Sequence, residues 1–310
     1  MYNVAIIGCG KIAENHLKVL ESNPNFNNYS IISKTNKKCK SLVLKYNIKK
    51  IYNNLNELCN DNKVDCIFIL IPAYEVLDVC KIIAKTNKPI FLEKPPGLNF
   101  KEALKIKKLF GKYKNLNMIG YNRRFYSIFS KGLNIIKKRG RLESLIIEGH
   151  EKIWRLEKLQ INKKIYENWA YANSSHTIDL IRFFAGEIKN IKVLTNSSRL
   201  NYSALIETKN NIFCHYISNW NTSTGWSIKL FGNKTTVVFE PLENGYWEDE
   251  KGKRQNLDKS HFDKNYKDGF YDQILHFHYL IKHKKYKYPI QNINETIKTM
   301  KLVKKIYNLK

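Results

Sequence analysis

Near the start of the chain, Val4-Ala5-Ile6-Ile7-Gly8-Cys9-Gly10-Lys11-Ile12-Ala13 joins a short apolar run to a glycine turn. Ile12, Ala13, Leu17 and Leu20 then recur at helical spacing. The turn fits G-x-G-x-x-[GA]. Gly8 allows the tight bend, Gly10 lets the backbone approach a pyrophosphate, and Ala13 is small enough for close helix–strand packing. A helix that opens here presents free N–H groups and the positive end of its dipole to phosphates. The motif is weak alone, but it follows a strand and opens a helix, which is the context a dinucleotide site requires.

The alternation continues outward. Residues 29–32 read as a second strand and Leu42, Leu44 and Tyr46 mark a helix. Residues 66–71 read as a buried strand bounded by Pro72. Val76, Val79, Cys80 and Ile83 mark the next helix, and residues 89–92 the next strand. Such alternation predicts right-handed crossovers and a doubly wound parallel sheet, a Rossmann domain over residues 1–120. At the end of the second strand stands Ser33-Lys34-Thr35-Asn36-Lys37-Lys38, with no acid to accept from a ribose 2′-hydroxyl. Lys34 beside Ser33 suits a 2′-phosphate, so NADP(H) is the expected cofactor, with NAD(H) possible. The same lysines also fit the general lysine excess of the chain.

After about Gly120 the pattern changes. Strand-like runs at 145–154, 188–194, 202–207, 212–218, 226–231 and 235–239 follow one another, with turn residues at Asn210-Asn211 and Gly232-Asn233. A helix over about 176–184, stopped by Gly186, is inserted among them, and Ile293, Ile297, Met300, Val303 and Ile306 mark a last amphipathic helix. Residues 121–310 therefore read as an α+β domain with a mostly antiparallel sheet.

The 310 residues suffice for about two domains with a sizeable core. With 43% apolar residues, 14 Gly and 7 Pro, a disordered or linker-dominated chain is excluded. Lys and Arg number 54 against 27 Asp and Glu, a formal charge of +27. The lysines are scattered and no zinc-finger, helix-turn-helix or stacked-aromatic signature accompanies them, so nucleic acid is not expected as a partner. An anionic small substrate fits the charge. The longest apolar run, 66–73, is far short of the ~20 residues of a membrane span, so no membrane role is expected. The six cysteines show no C-x-x-C pair or metal spacing, and several lie in apolar runs. With a strand pattern at residues 2–7 in place of a signal peptide, the expectation is a reducing cytoplasm and no metal.

Glu93-Lys94-Pro95 follows the strand at 89–92, and Gly120-Tyr121-Asn122-Arg123-Arg124-Phe125 opens the second domain. With the Gly8-x-Gly10 turn before them and Ser175-His176-Thr177-Ile178-Asp179 after them, the chain resembles the glucose–fructose oxidoreductase/inositol dehydrogenase (Gfo/Idh/MocA) family over essentially its whole length. The resemblance implies hydride transfer between NAD(P) and a hydroxyl or carbonyl carbon of a sugar, cyclitol or nucleotide sugar. It also implies a C-terminal open sheet that serves as the interface of a homo-oligomer. Within the family the Lys of E-K-P lies by nicotinamide and substrate, which points to Lys94. A His on the second-domain helix acts as acid/base, which points to His176, and His16 matches a position near the cofactor or the domain interface.

Elementary chemistry agrees with these roles. Removing hydride from a secondary alcohol requires a positioned base for the hydroxyl proton, and a histidine titrates near neutrality. An ammonium beside the oxygen stabilises developing alkoxide charge. The expected cofactor residues are Gly8, Gly10, Lys11, Ile12, Ser33, Lys34, Ile71, Pro72, Glu93 and Lys94. The expected substrate residues are Tyr121, Asn122, Arg123, Trp154, Asn173 and Asp179, where paired guanidinium forks at Arg123 and Arg124 suit a carboxylate or phosphate, or tie the domains by ion pairs. Aromatic walls suit a sugar ring. His276 and His278 read as packing residues. In much of the family an Asp lies four residues before the His; here that position is Ala172, for which Asn173 or Asp179 could substitute. Ala172 opens a second reading, a non-catalytic dinucleotide-sensing regulator. A third keeps the enzyme and replaces the sugar by an imine, a linear tetrapyrrole or a diketone.

Overall fold

The N-terminal apolar runs form a six-stranded parallel sheet of β1 (Tyr2–Ile7), β2 (Phe26–Ile32), β3 (Lys50–Ile51), β4 (Cys66–Ile69), β5 (Ile90–Leu92) and β6 (Asn117–Ile119). Their spatial order is β3-β2-β1-β4-β5-β6. This is the order of a dinucleotide-binding sheet, in which the strand order reverses between β1 and β4 while the strands stay parallel, leaving a crevice at their carboxyl ends. The structure is a computed structural model and describes residues 1–309, the side chain of Asn36 set aside. Every residue of β4 and β5 is buried, as are Val4 to Ile7 of β1, because helices cover both faces of a parallel sheet. That double burial explains why these strands read as continuous apolar runs rather than as alternation.

Two units divide the chain: Met1–Asn122 with Asn265–Lys298, and Arg123–Lys264 with Thr299–Lys310. The single division expected between 120 and 121 thus has a nearby counterpart, but residues 265–298 return to the first unit. The reason lies in the aromatic run of the helix Phe270–His283. Phe277 packs at 5.3 Å from Phe68 and 5.6 Å from Phe91, and Phe270 at 4.8 Å from His16. Beyond that helix, Gln291 O accepts from Ile119 N (2.7 Å) and Asn117 Oδ1 from Ile293 N (2.7 Å), which adds polar ties to β6. His276 donates to the Asp272 carbonyl and His278 lies against Tyr2 and Phe26, so both pack as expected.

The second unit holds β7 (Leu142–Gly149), β8 (Ile188–Thr195), β9 (Asn201–Thr208), β10 (Phe213–Asn219), β11 (Trp226–Gly232), β12 (Thr235–Phe239), β13 (Gly245–Asp249) and β14 (Arg254–Asn256). They form one mixed, mostly antiparallel sheet in the order β14-β13-β12-β11-β7-β10-β9-β8, with β7 and β10 parallel. β9 alternates buried and outward residues, the signature of a sheet with one covered face. On the other face Leu194, Leu205 and Phe213 are exposed. The strand expected to run to Trp154 stops at Gly149, and Trp154 sits on the short helix Ile153–Lys158. The helix Ser175–Ala185 ends at Gly186, whose φ of +88° is a conformation that favours glycine. All six cysteines are free, and burial pushes the thiols of Cys66, Cys80 and Cys214 well up. Among the described residues no helix is long and apolar enough to cross a membrane.

Candidate functional site

In the first unit a cleft of about 460 Å³ opens at the carboxyl ends of β1, β2 and β4, lined by Gly8, Gly10, Ser33, Lys34, Ile71 and Pro72, with Lys38 and Glu75 beside them. Gly8 has φ +113°, and a Cβ there would lie 2.3 Å from the Leu70 carbonyl oxygen, so the bend between β1 and the helix Lys11–Glu21 needs glycine. At Gly10 a Cβ would meet nothing within 4 Å. This face is open space above the first turn of the helix, which no side chain caps. Uncapped N–H groups at a helix start beside an open backbone are what a pyrophosphate requires. Lys11 and Ile12 supply that first turn, and buried Ala13 packs beneath it. The residues present fit a dinucleotide.

Ser33 Oγ accepts from Thr35 N (3.3 Å) and lies 2.9 Å from Cys9 Sγ. Lys34 Nζ stands 3.0 Å from a Glu75 carboxylate oxygen, with the lysine side chain 84% exposed. Sequence reading found no acid at the end of β2; the fold brings one from the helix Ala73–Ile83 instead.

Glu93 and Lys94 follow β5. Glu93 does not line the cleft: its Oε1 accepts from His16 Nε2 (2.8 Å) and its Oε2 from Lys94 N (3.2 Å). His16 is fully buried between Phe91 (5.0 Å) and Phe270 (4.8 Å). The acid of the motif therefore fastens the Lys94 backbone to the helix behind the glycine turn. A Cβ on Gly120 would come within 3.0 Å of the same carboxylate, which accounts for glycine there.

In the second unit a separate cavity of about 340 Å³ is lined by Arg123, Glu151, Trp169, Asn173 and Trp226, among others. Glu151, nearly fully buried, organises it. Its Oε2 accepts from Trp169 Nε1 (2.8 Å) and Asn173 Nδ2 (2.9 Å), and its Oε1 from Ser174 Oγ (2.6 Å). These donors flank or belong to a π-helical turn, Ala170–Ser174, that leads straight into the helix carrying His176. Such turns recur at functional sites. Ala172 lies in this turn, and the carboxylate beside it comes from Glu151 on another element. His176 is buried, with its ring 6.1 Å from that of Trp226. Trp226 Nε1 donates to the His150 carbonyl (2.9 Å), and the Arg123 guanidinium covers its ring at 4.5 Å.

Arg123 and Asn173 thus stand on this cavity, and four expected substrate residues lie elsewhere. Tyr121 is buried in the apolar core of the first unit, because its ring fills space beside β5 and β6. Asn122 is buried and donates to the Asp268 carbonyl (3.0 Å). Trp154 is 42% exposed and packs under Lys158. Asp179 is 1% exposed, holding Arg124 through Nε (2.5 Å) and Nη2 (3.0 Å) and accepting from Thr299 Oγ1 (2.7 Å). It fixes the helix that carries His176. Asp179→Ala should therefore cost about 3–5 kcal/mol, since it strands a buried guanidinium. Thermal denaturation checks this, and a loss below about 1 kcal/mol counts against the pair. Trp169, Trp226, Glu151, His150, Lys152 and Arg155 were missed; the segment Gly149-His150-Glu151-Lys152 at a strand end was the available signal.

A sequence profile described as an oxidoreductase family with an NAD-binding Rossmann fold matches residues 2–121. The chain is similar to the uncharacterized protein YMR315W of Saccharomyces cerevisiae, 35% identical over 113 residues, 34% of this chain and 32% of that protein. It is also similar to myo-inositol 2-dehydrogenase of Thermotoga maritima, 26% identical over 128 residues, 41% and 38% of the two chains. These matches span 32% and 38% of the two relatives' length. A solved structure of a dehydrogenase from Clostridium difficile shares the fold over 99% of both chains, with a TM-score of 0.79 at 19% identity.

Proposed function

We propose, from the match of residues 2–121 to an oxidoreductase family with an NAD-binding Rossmann fold, that the chain is a Gfo/Idh/MocA-type NAD(P)-dependent oxidoreductase acting on a hydroxyl or carbonyl carbon of a sugar or nucleotide sugar. One observation carries the reading: the open Gly10 face over an uncapped helix start, inside a cleft that continues to Ser33 and Lys34. When bound, the nicotinamide donates or accepts the hydride. Gly8 shapes the turn, while Gly10, Lys11 and Ile12 present backbone to the pyrophosphate, with Ile71 and Pro72 walling the cleft. Lys94 holds the reacting oxygen and stabilises its negative charge, and His176 takes or returns the hydroxyl proton. Glu93 and Glu151 are positioning residues for Lys94 and for the turn before His176.

For cofactor choice the proposal is NADP(H). Lys34 and Lys38 line the ribose end, and the exposed Lys34–Glu75 pair is worth only about 0–1 kcal/mol, so Lys34 can turn to a 2′-phosphate at little cost. Lys34→Ala should weaken NADPH binding by about tenfold and leave NADH binding unchanged, because charge-assisted bonds to phosphate are worth about 1.5–3 kcal/mol. Fluorescence titration with both nucleotides decides. Equal wild-type affinities that the substitution does not move overturn the preference. The exposed Leu194, Leu205 and Phe213 on the outer sheet face support a homo-oligomer, and the six free cysteines support a reducing compartment such as the cytoplasm.

A further inference from the structure

Two adjacent arginines have opposite fates. Arg124 is saturated by Asp179. Arg123 has no hydrogen-bond or ion-pair partner for its side chain among the described residues, and its Nε is buried without an acceptor. A buried donor left unsatisfied costs free energy that a fold normally avoids. Arg123 is not loose, since its guanidinium carbon stands over the Trp226 indole, 4.5 Å from the ring centre, and that indole is itself pinned to the His150 carbonyl. Stacking leaves the donor edge of the fork free and preorganised.

The same cavity is lined by Lys152 and Arg155, neither of which pairs with a carboxylate among the described residues. Its two acids are engaged by neutral donors. Glu151 accepts from Trp169, Asn173 and Ser174, and Glu243 accepts from Tyr126 Oη (3.1 Å). His150 adds a further donor: Nδ1 accepts from Asn219 N (3.1 Å), which leaves the proton on Nε2, and burial pushes its pKa down against the opposing pull of Glu148. Three unpaired cations, a buried unsatisfied guanidinium nitrogen and two indole walls thus share about 340 Å³, the size range of a small-ligand site.

We propose that this cavity binds an anionic group, a carboxylate or a phosphate, on a sugar-sized substrate, with Arg123 as the specificity-determining residue and Arg155 and Lys152 as supporting charges. That the ligand is a substrate rests on the oxidoreductase reading. The cavity itself lies wholly within the second unit, so anion binding is measurable without the dinucleotide.

The test is isothermal titration of the full-length protein with D-galacturonate, D-galactose 6-phosphate and neutral D-galactose, in wild type, Arg123→Gln and Arg155→Gln. The expected result is one site per chain for at least one anionic sugar, bound about tenfold or more tighter than galactose. Which anion binds tells carboxylate from phosphate. In Arg123→Gln that advantage should fall at least about fivefold. Arg155 is exposed, so Arg155→Gln provides a variant with no folding risk and should show a smaller fall. Each variant removes one of 54 basic residues, so diffuse attraction to the charged surface survives both. Equal binding of galactose, a preference untouched by both variants, or no binding of either anion overturns the proposal. Failure of the dinucleotide reading shows separately, as absence of NADPH and NADH binding.

Discussion

Lys94→Ala should lower turnover by about 10²–10³-fold while NADPH affinity stays within about twofold, the range seen when one group that stabilises developing oxyanion charge is removed. The split between the two readouts identifies the role. Lys94 follows β5 directly, its backbone N–H bound by Glu93 and through Glu93 tied to buried His16, so the ammonium springs from a fixed point. A lysine that merely coats the surface before Pro95 would leave turnover unchanged when truncated. Steady-state kinetics, on whichever sugar the binding panel identifies, measure one arm and nucleotide titration the other. Unchanged turnover removes Lys94 from the mechanism, and a parallel loss of affinity reassigns it to cofactor binding.

The two glycines of the turn should behave oppositely. Gly8→Ala places a Cβ 2.3 Å from the Leu70 carbonyl oxygen and forces alanine to φ +113°. The obstacle is backbone and cannot swing away. Strain and overpacking together should cost about 2–5 kcal/mol, a large part of the about 5–15 kcal/mol that holds a domain folded. Gly10→Ala meets nothing within 4 Å at a φ of −74°, so stability should change by less than about 1 kcal/mol. Its methyl fills the space through which a pyrophosphate approaches, and NADPH affinity should drop by about tenfold or more. Melting curves and nucleotide titrations on both variants test the pair. Full NADPH affinity in Gly10→Ala places the phosphates elsewhere.

What could be read from sequence followed burial. β1, β4 and β5 were legible because covered parallel strands must be apolar throughout, and the glycine turn because its chemistry is local. β3, two exposed residues, and β6, which opens with polar Asn117, carry no such signal. Asn117 is buried with its carboxamide satisfied by Ile293 N, from 176 residues away, and by the Asn115 carbonyl. The return of 265–298 to the first unit escaped for the same reason, since a helix rich in Phe and Tyr does not say which sheet it covers. Of the residues read from local motifs, Arg123 and Asn173 line the cavity of the second unit, whereas Lys94 and His176 line neither it nor the cleft. Asp179 was misjudged because an acid two residues after a motif Thr looks available until Arg124 and Thr299 close on it. Trp169, Trp226 and Glu151 were missed because only the fold brings residues 151, 169 and 226 to one cavity.

The central claim is that this chain binds a nicotinamide dinucleotide in the cleft above Gly10. Tryptophan fluorescence quenching of the wild-type protein by NADPH and by NADH, in parallel, tests it most directly. The expected result is saturable quenching by NADPH at lower concentration than by NADH, with the NADPH curve shifted about tenfold or more to higher concentration in Gly10→Ala. No saturable response to either nucleotide, from a sample with a cooperative melting transition, contradicts it.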